Sequence, residues 1–187
     1  MMQRTIIDSH IHLDVYQPRE LGFILNHLIQ YHVEALIAVS VHLDSSKENL
    51  KLSEAYSKIK PAFGFHPEQT ILPTDDDVNR LVDFMNVHKD RMVAVGEVGL
   101  PYYTRKKNPD IQLEPYVELL EVFMKEAKAL DKPIVLHAVY EDAPLVCDLL
   151  EKYSIEKAHF HWFKGDKKTV QRMIDNGYLI SFTPDVL

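Results

Sequence analysis

The stretch IIDSHIHLD, residues 6–14, leads from apolar residues into two histidines that are separated by one residue. Because alternate residues of a β-strand project from the same face, a strand here places His10 and His12 side by side, as two imidazoles must lie to bind one cation. The apolar start is typical of a strand covered on both faces in a parallel sheet. We therefore expect the first strand of an α/β protein here, with a metal site at its carboxyl end.

Candidate metal ligands recur at the ends of later apolar segments. Glu97 lies in MVAVGEVGL, His137 in PIVLHAV, and both His159 and His161 in AHFHWF. A carboxylate inside an apolar strand needs a cation or strong hydrogen-bond donors to stay ionised. His161 is preferred to His159, because it lies nearer to the carboxyl end of its strand, where barrel enzymes collect their chemistry. The pattern predicts a metal centre of five residues: His10, His12, Glu97, His137 and His161.

Seven apolar segments of strand length alternate with segments of helical periodicity. The predicted strands are residues 5–12, 35–41, 61–66, 92–100, 133–139, 158–163 and 178–183. Repeated strand–helix units predict a parallel sheet with right-handed crossovers. Since the candidate ligands come from the first, fourth, fifth and sixth strands, the pattern favours a TIM-type (β/α) barrel over an open doubly wound sheet.

The number of strands predicts an incomplete barrel. A closed barrel of this type has eight strands and usually about 250 residues, whereas this chain of 187 residues shows seven candidate strands. We expect residues 1–187 to form a single barrel domain that lacks its eighth strand. Such a barrel leaves an exposed hydrophobic edge.

Composition limits the class of protein. A formal net charge of −7 argues against broad adhesion to polyanions, which needs many phosphate-neutralising cations. No charged and apolar leader is present, and no apolar stretch approaches the roughly 20 residues that span a bilayer. The single cysteine, Cys147, excludes an intrachain disulfide framework and is expected in the core. We expect a cytoplasmic protein that does not enter a membrane.

The ligand types indicate which ions the predicted site can bind. Neutral imidazoles with carboxylates suit zinc, manganese or iron, and carboxylate-rich positions also admit magnesium. Two ions roughly 3.5–4 Å apart can activate a water and stabilise the leaving oxygen of a displacement. We expect two divalent ions (Zn, Mn or Mg), the first held by His10 and His12 and the second by His137 and His161, with Glu97 as a bridge.

The motifs DSHIHLD, GFHP, GEVGLPYY, PIVLHA and HFHWFKG, in this order, resemble those of the TatD family of metal-dependent hydrolases and deoxyribonucleases, within the amidohydrolase superfamily. The resemblance implies a TIM barrel with a binuclear divalent-metal site, whose ligands match the five residues predicted above. The family's last ligand, an aspartate in an E-T-D motif, has no counterpart in this sequence. Pro101 and Val139 also stand where the family commonly has aspartate and arginine. The missing aspartate leaves one metal position incomplete, whereas the changes at Pro101 and Val139 concern the substrate more than the metal.

Four further residues are predicted to bind the substrate. His66 ends the third strand in GFHP, where a histidine can contact substrate rather than metal. Arg105 and Lys164 belong to basic clusters after the fourth and sixth strands, and Tyr103 lies among aromatic residues at the same strand ends. Basic side chains at the opening of the barrel favour a phosphate-bearing ligand in an otherwise acidic protein, and aromatic rings can stack on unpaired bases. We expect a small molecule or a single-stranded nucleic-acid end as substrate.

The primary functional hypothesis is a divalent-metal-dependent phosphodiesterase that acts on DNA ends. A metal-activated water attacks phosphorus and Glu97 bridges the ions, while the residues do not identify a general base. Because the family's aspartate is absent, we expect metal binding with poor turnover. One alternative is an amidohydrolase-type enzyme that cleaves a C–N or ester bond, and another is a non-catalytic metal- or partner-binding protein. The sequence does not determine the metal, the physiological substrate or the oligomeric state.

Overall fold

The computed structural model describes residues 5–182 of the chain. These residues form one parallel sheet of seven strands whose spatial order follows the chain order. The strands are β1 (Ile6–Ile11), β2 (Val33–Val39), β3 (Ile59–Phe63), β4 (Ala94–Gly99), β5 (Ile134–His137), β6 (Ala158–Phe160) and β7 (Leu179–Ile180). The helices are α1 (Pro18–His27), α2 (Leu43–Ala55), α3 (Asp75–Val87), α4 (Tyr102–Lys107), α5 (Glu114–Ala129), α6 (Asp142–Lys152) and α7 (Lys167–Asp175).

Each predicted strand overlaps an observed one, although β2 and β3 each begin two residues earlier than predicted, so the strand–helix alternation is confirmed for the described residues. The observed strands end earlier than predicted, because the residues that follow them turn away into the loops that carry the candidate site. The sixth predicted strand, for example, extends to Phe163, whereas β6 ends at Phe160. The end of the seventh predicted strand, Thr183, lies outside the described residues.

Local capping explains where several helices begin. Thr74 precedes α3, its hydroxyl accepts a hydrogen bond from Asp77 N, and the Asp77 carboxylate accepts one from Thr74 N, which completes a capping box. Asp166 caps α7 by accepting a hydrogen bond from Thr169 N. These side chains satisfy backbone donors that a helix leaves without partners in its first turn.

The hydrophobic core forms two layers, one on each face of the sheet. The outer layer packs large residues of the helices, such as Phe123 and Met124 of α5, against the strands. The inner layer consists of small and β-branched side chains from four neighbouring strands: Val39, Ala62, Ala94 and Val135. Because alternate strand residues share a face, His137 projects from β5 on the same inner side as Val135. The inner layer therefore supports the candidate site.

The sheet is an open barrel over the described residues, where β1 pairs only with β2 and β7 only with β6. Ile6 and Ile7 of β1 and Leu179 of β7 are exposed. This arrangement agrees with the expected seven-stranded (β/α) barrel and its hydrophobic edge. Within residues 5–182 the helices are all too short or too polar to cross a bilayer. Cys147 is buried in the core, as expected, and burial raises the pKa of its thiol to about 11.

Candidate metal centre

The carboxyl ends of four strands bring the five predicted ligands to one cavity of about 480 Å³. Two of them come from β1 and the turn after it, one from β4, one from the last position of β5, and one from the first position after β6. Parallel strands present their carboxyl ends at one rim of a barrel, which explains why residues far apart in the chain converge there. The residues are His10, His12, Glu97, His137 and His161.

Glu97 lies at the centre of this group and is 1% exposed. Its Oε2 atom is 3.1 Å from His10 Nε2 and 3.0 Å from His12 Nε2, and its Oε1 atom is 3.1 Å from His137 Nδ1. Burial acts to raise the pKa of Glu97, but the hydrogen bonds from the three imidazoles outweigh it and hold the pKa well below its ordinary value. The centre is therefore built around an ionised carboxylate.

His161 completes a group of possible metal donors with His10 and Glu97. The rings of His10 and His161 stack in parallel with their centroids 3.3 Å apart. One donor atom from each of these three residues lies within 4.8 Å of the others, and His12, His66 and Glu97 form a second such group. The first group joins His10 with His161 and the second joins His12 with His66, while the Nε2 atoms of His10 and His12 also lie 3.3 Å apart. Both groups share Glu97.

The imidazoles of His66 and His161 in the cavity are neutral near pH 7. Burial lowers the pKa of His161 to about 3 and that of His66 to about 4. Neutral imidazoles retain a lone pair, which metal binding requires. His137 differs, because burial lowers its pKa but the hydrogen bonds to Glu68 and Glu97 raise it further, to about 9.

The tautomer of His66 separates it from the other histidines. Its Nδ1 atom accepts a hydrogen bond from Glu68 N at 3.2 Å, so the neutral ring carries its proton on Nε2. That nitrogen lies 3.4 Å from Glu97 Oε2. In this arrangement His66 presents a donor to the cavity, which suits the predicted substrate contact better than metal ligation.

The residues present fit divalent cations. Among the described residues, the Nδ1 atoms of His10, His12 and His161 are buried without a hydrogen-bond partner. An ionised carboxylate surrounded by imidazole nitrogens, with no thiolate, matches the oxygen and nitrogen ligands of zinc and manganese sites. The centre can therefore hold positive charge at the position where Glu97 concentrates negative charge.

Glu68 is a site residue that the sequence analysis missed. Its Oε1 atom is 3.0 Å from His137 Nε2, and its carboxylate accepts hydrogen bonds from Tyr103 N at 2.9 Å and Thr104 N at 2.7 Å. Burial acts to raise the pKa of Glu68, but these hydrogen bonds lower it to about 2. The available signal was its position directly after GFHP, in the loop of His66.

The predicted substrate residues divide into two sets. His66, Tyr103 and Lys164 line the cavity. Arg105 is not among the described residues that line it, because its guanidinium donates to the carboxylate of Asp142, which is 2% exposed. That ion pair joins α4 to the first turn of α6 and lies beside the cavity rather than within it.

Comparison with known proteins identifies the family of this chain. Residues 7–187 match the family model described as TatD related DNase. The chain belongs to the TatD family. An uncharacterized metal-dependent hydrolase from Haemophilus influenzae is 40% identical over 183 residues, which cover 97% of this chain and 71% of that protein. Human deoxyribonuclease TATDN3 is 29% identical over 190 residues, covering 97% of this chain and 69% of that protein.

Solved TatD structures share the fold. The crystal structure of YjjV, a TatD homologue from Escherichia coli, matches with a TM-score of 0.83 at 26% identity and covers 94% of this chain. A TatD family hydrolase from Entamoeba histolytica matches with a TM-score of 0.80 at 18% identity, which shows the fold alone. The TIM-type barrel and the family resemblance are thereby confirmed. The chain spans 66% of each of these two solved chains.

Proposed function

We propose that this chain is a divalent-metal-dependent phosphodiesterase that hydrolyses DNA ends. The observation that carries the proposal is the buried, ionised Glu97, whose two oxygens face imidazoles from β1 and β5 at the carboxyl rim of a TatD barrel. A buried charge of this kind is stabilised when cations share its site. The human relative named as a deoxyribonuclease supports DNA as the substrate class.

We assign the metal ligands to the five residues predicted from the sequence: His10, His12, Glu97, His137 and His161. Two divalent ions, of zinc, manganese or magnesium, would fit this set and share Glu97, because its two oxygens face different imidazoles. Oε2 lies 3.1 Å from His10 Nε2 and 3.0 Å from His12 Nε2, and Oε1 lies 3.1 Å from His137 Nδ1. Bound ions of this type lower the pKa of a water and stabilise charge on a leaving oxygen. The family's position in the amidohydrolase superfamily is consistent with such a centre.

The remaining cavity residues bind and orient the substrate. Lys164 lies at the rim, where its positive charge favours a phosphate in an otherwise acidic chain. Tyr103 and the exposed Trp162 offer ring faces for an unpaired base. His66 donates from Nε2 into the same space. These features favour the end of a single strand over a continuous duplex. Cytoplasmic location is part of the proposal and is supported by the buried free thiol of Cys147.

The test is cleavage of end-labelled single-stranded DNA by the purified chain with Mg²⁺, Mn²⁺ or Zn²⁺, compared with amide and ester substrates. Metal content is measured in parallel, because the sequence has no E-T-D motif. Glu97→Gln is expected to abolish stoichiometric metal binding and to reduce cleavage at least 100-fold. The matched control is Glu156→Gln, which changes an exposed glutamate and is expected to leave both unchanged.

Three outcomes would contradict the proposal. Metal-dependent DNA cleavage retained by Glu97→Gln would refute the assigned centre. Cleavage confined to amide or ester substrates would favour the amidohydrolase-type reaction. Stoichiometric metal without turnover of any substrate would favour the non-catalytic metal-binding protein.

A further inference from the structure

Glu68 connects two parts of the cavity that the sequence keeps far apart. Its side chain is 14% exposed, and its Oε1 atom lies 3.0 Å from His137 Nε2 and 2.9 Å from Tyr103 N. Its Oε2 atom accepts from Thr104 N at 2.7 Å and from the Thr104 hydroxyl. Every lone-pair direction that a carboxylate uses is thus directed at a donor.

The two nitrogens of His137 face two different carboxylates. Nδ1 is 3.1 Å from Glu97 Oε1, inside the donor cluster, whereas Nε2 is 3.0 Å from Glu68 Oε1, outside it. An imidazole that binds a metal through one nitrogen keeps its proton on the other and donates it to an outer partner, which orients the ring and raises its basicity. In this geometry Glu68 would be that outer partner, and Nδ1 would be the nitrogen that binds an ion.

The same carboxylate also sets the position of α4. The first residues of this helix, Tyr102 and Tyr103, are separated from β4 only by Leu100 and Pro101, and Tyr103 lines the cavity. Hydrogen bonds from Tyr103 N and Thr104 N to Glu68 hold this turn against the loop of His66. A displacement of Glu68 would therefore move a predicted ligand and a predicted substrate contact together.

We propose that Glu68 is a positioning residue, which holds His137 with Nδ1 directed at the metal and holds Tyr103 at the substrate side of the cavity. This inference rests on the proposed function for its substrate half, but its metal half stands on the geometry of Glu68 and His137 alone. Glu68 acts through these two residues and is not itself assigned as a ligand.

The first experiment measures metal affinity by calorimetry for the wild type, Glu68→Gln and Glu68→Ala, with Zn²⁺ and Mn²⁺. Loss of an outer-shell partner typically weakens metal binding 10–100-fold, and we expect a decrease of about that size in both variants. A glutamine has one oxygen and cannot accept at once from His137, Tyr103 and Thr104, so it keeps the size of the side chain without its function. Glu156→Gln serves as the control of equal charge change and is expected to bind as the wild type does.

The second experiment reads the tautomer directly. Two-dimensional ¹⁵N NMR of the Zn²⁺-loaded wild type is expected to show His137 protonated at Nε2 and coordinated through Nδ1. Coordination through Nε2 would overturn the proposal, and so would wild-type metal affinity in both Glu68 variants. The NMR measurement needs no variant, so the proposal stays falsifiable even where Glu68→Ala lowers the stability of the fold.

Measurements of DNA turnover distinguish a failure of this proposal from a failure of the proposed function. With saturating metal, Glu68→Ala is expected to raise KM for DNA more than it lowers kcat, because the turn that carries Tyr103 loses its anchor. Wild-type KM and kcat in this variant would overturn the substrate half of the inference. If the wild type cleaves no DNA but the Glu68 variants bind metal more weakly than the wild type does, the proposed function is refuted and the metal half of this inference is supported.

Discussion

Gly99 offers a direct test of how the fold positions the candidate centre. It is the last residue of β4 and pairs with His137 of β5 in the parallel register. A Cβ atom added at Gly99 would lie 2.0 Å from the carbonyl oxygen of His137 and 2.7 Å from its carbonyl carbon. Its φ of +152° also lies in a region that residues with a side chain rarely adopt. We therefore expect Gly99→Ala to disturb both the fold and His137.

The magnitude follows from the overlap. Ordinary contact for a Cβ atom begins at 3.4 Å, so an atom at 2.0 Å must move away by about 1.4 Å, and its neighbours are backbone atoms of His137 that cannot rotate aside. Backbone strain and overpacking each cost about 1–3 kcal/mol, so we expect a loss of roughly 3 kcal/mol in the free energy of unfolding. Metal–ligand distances tolerate only about 0.2 Å, so a shift of this size at His137 should weaken metal binding at least tenfold.

The assay combines urea unfolding of the metal-free protein with calorimetric titration of Zn²⁺. The control is Gly22→Ala, on α1, where an added Cβ meets no atom within 4 Å. Alanine is a better helix former than glycine, so the control should gain about 0.5–1 kcal/mol of stability and keep its metal affinity. Unchanged stability and metal affinity in Gly99→Ala would refute the argument that this close approach positions His137.

Three further predictions concern the pH dependence of metal binding, a buried ion pair and the core. Because the pKa of His137 is raised to about 9, its ring is charged at pH 7 and must release a proton when it binds metal. The metal affinity should therefore rise about tenfold per pH unit up to about pH 8 and level off above about pH 9. A metal affinity that calorimetry finds independent of pH would count against this prediction. Asp142→Ala leaves the guanidinium of Arg105 without its partner and should cost about 1–3 kcal/mol in urea unfolding, because the guanidinium stays partly exposed to water. A change below about 0.5 kcal/mol would show that the pair contributes little. Phe160→Ala should lower the free energy of unfolding by about 3–5 kcal/mol in the same assay, because Phe160 is fully buried. The control Ile174→Ala changes an exposed residue and should alter it by no more than about 0.5 kcal/mol. Similar values for the two variants would contradict the described core.

The local patterns of the chain account for much of the architecture. Apolar segments that alternate with helical periodicity predicted each of the described strands, because burial on both faces of a parallel sheet selects apolar residues along the chain. The spacing of His10 and His12 predicted their common direction, since strand geometry repeats every second residue. The motifs around Glu97 and His137 led to the family, which the comparisons confirm. That residues 1–187 form a single domain stays a prediction.

The contacts between distant loops could not be predicted in this way. Glu68 lies 69 residues from His137 in the chain, and its direction depends on the path of a loop rather than on any periodic pattern. Arg105 was predicted at the mouth from its position after β4, but one turn of helix directs it to Asp142 instead. Such contacts depend on how separate elements pack, which no local spacing encodes.

The sequence by itself determined the alternation of strands and helices and the chemical types of the candidate ligands, because hydrophobic periodicity and residue chemistry are local properties. Only the tertiary structure decided which imidazoles lie together, which nitrogen of each ring faces Glu97, and which second carboxylate holds His137. These features depend on the distances and angles between strands and loops that meet only when the sheet curves and brings their ends to one rim.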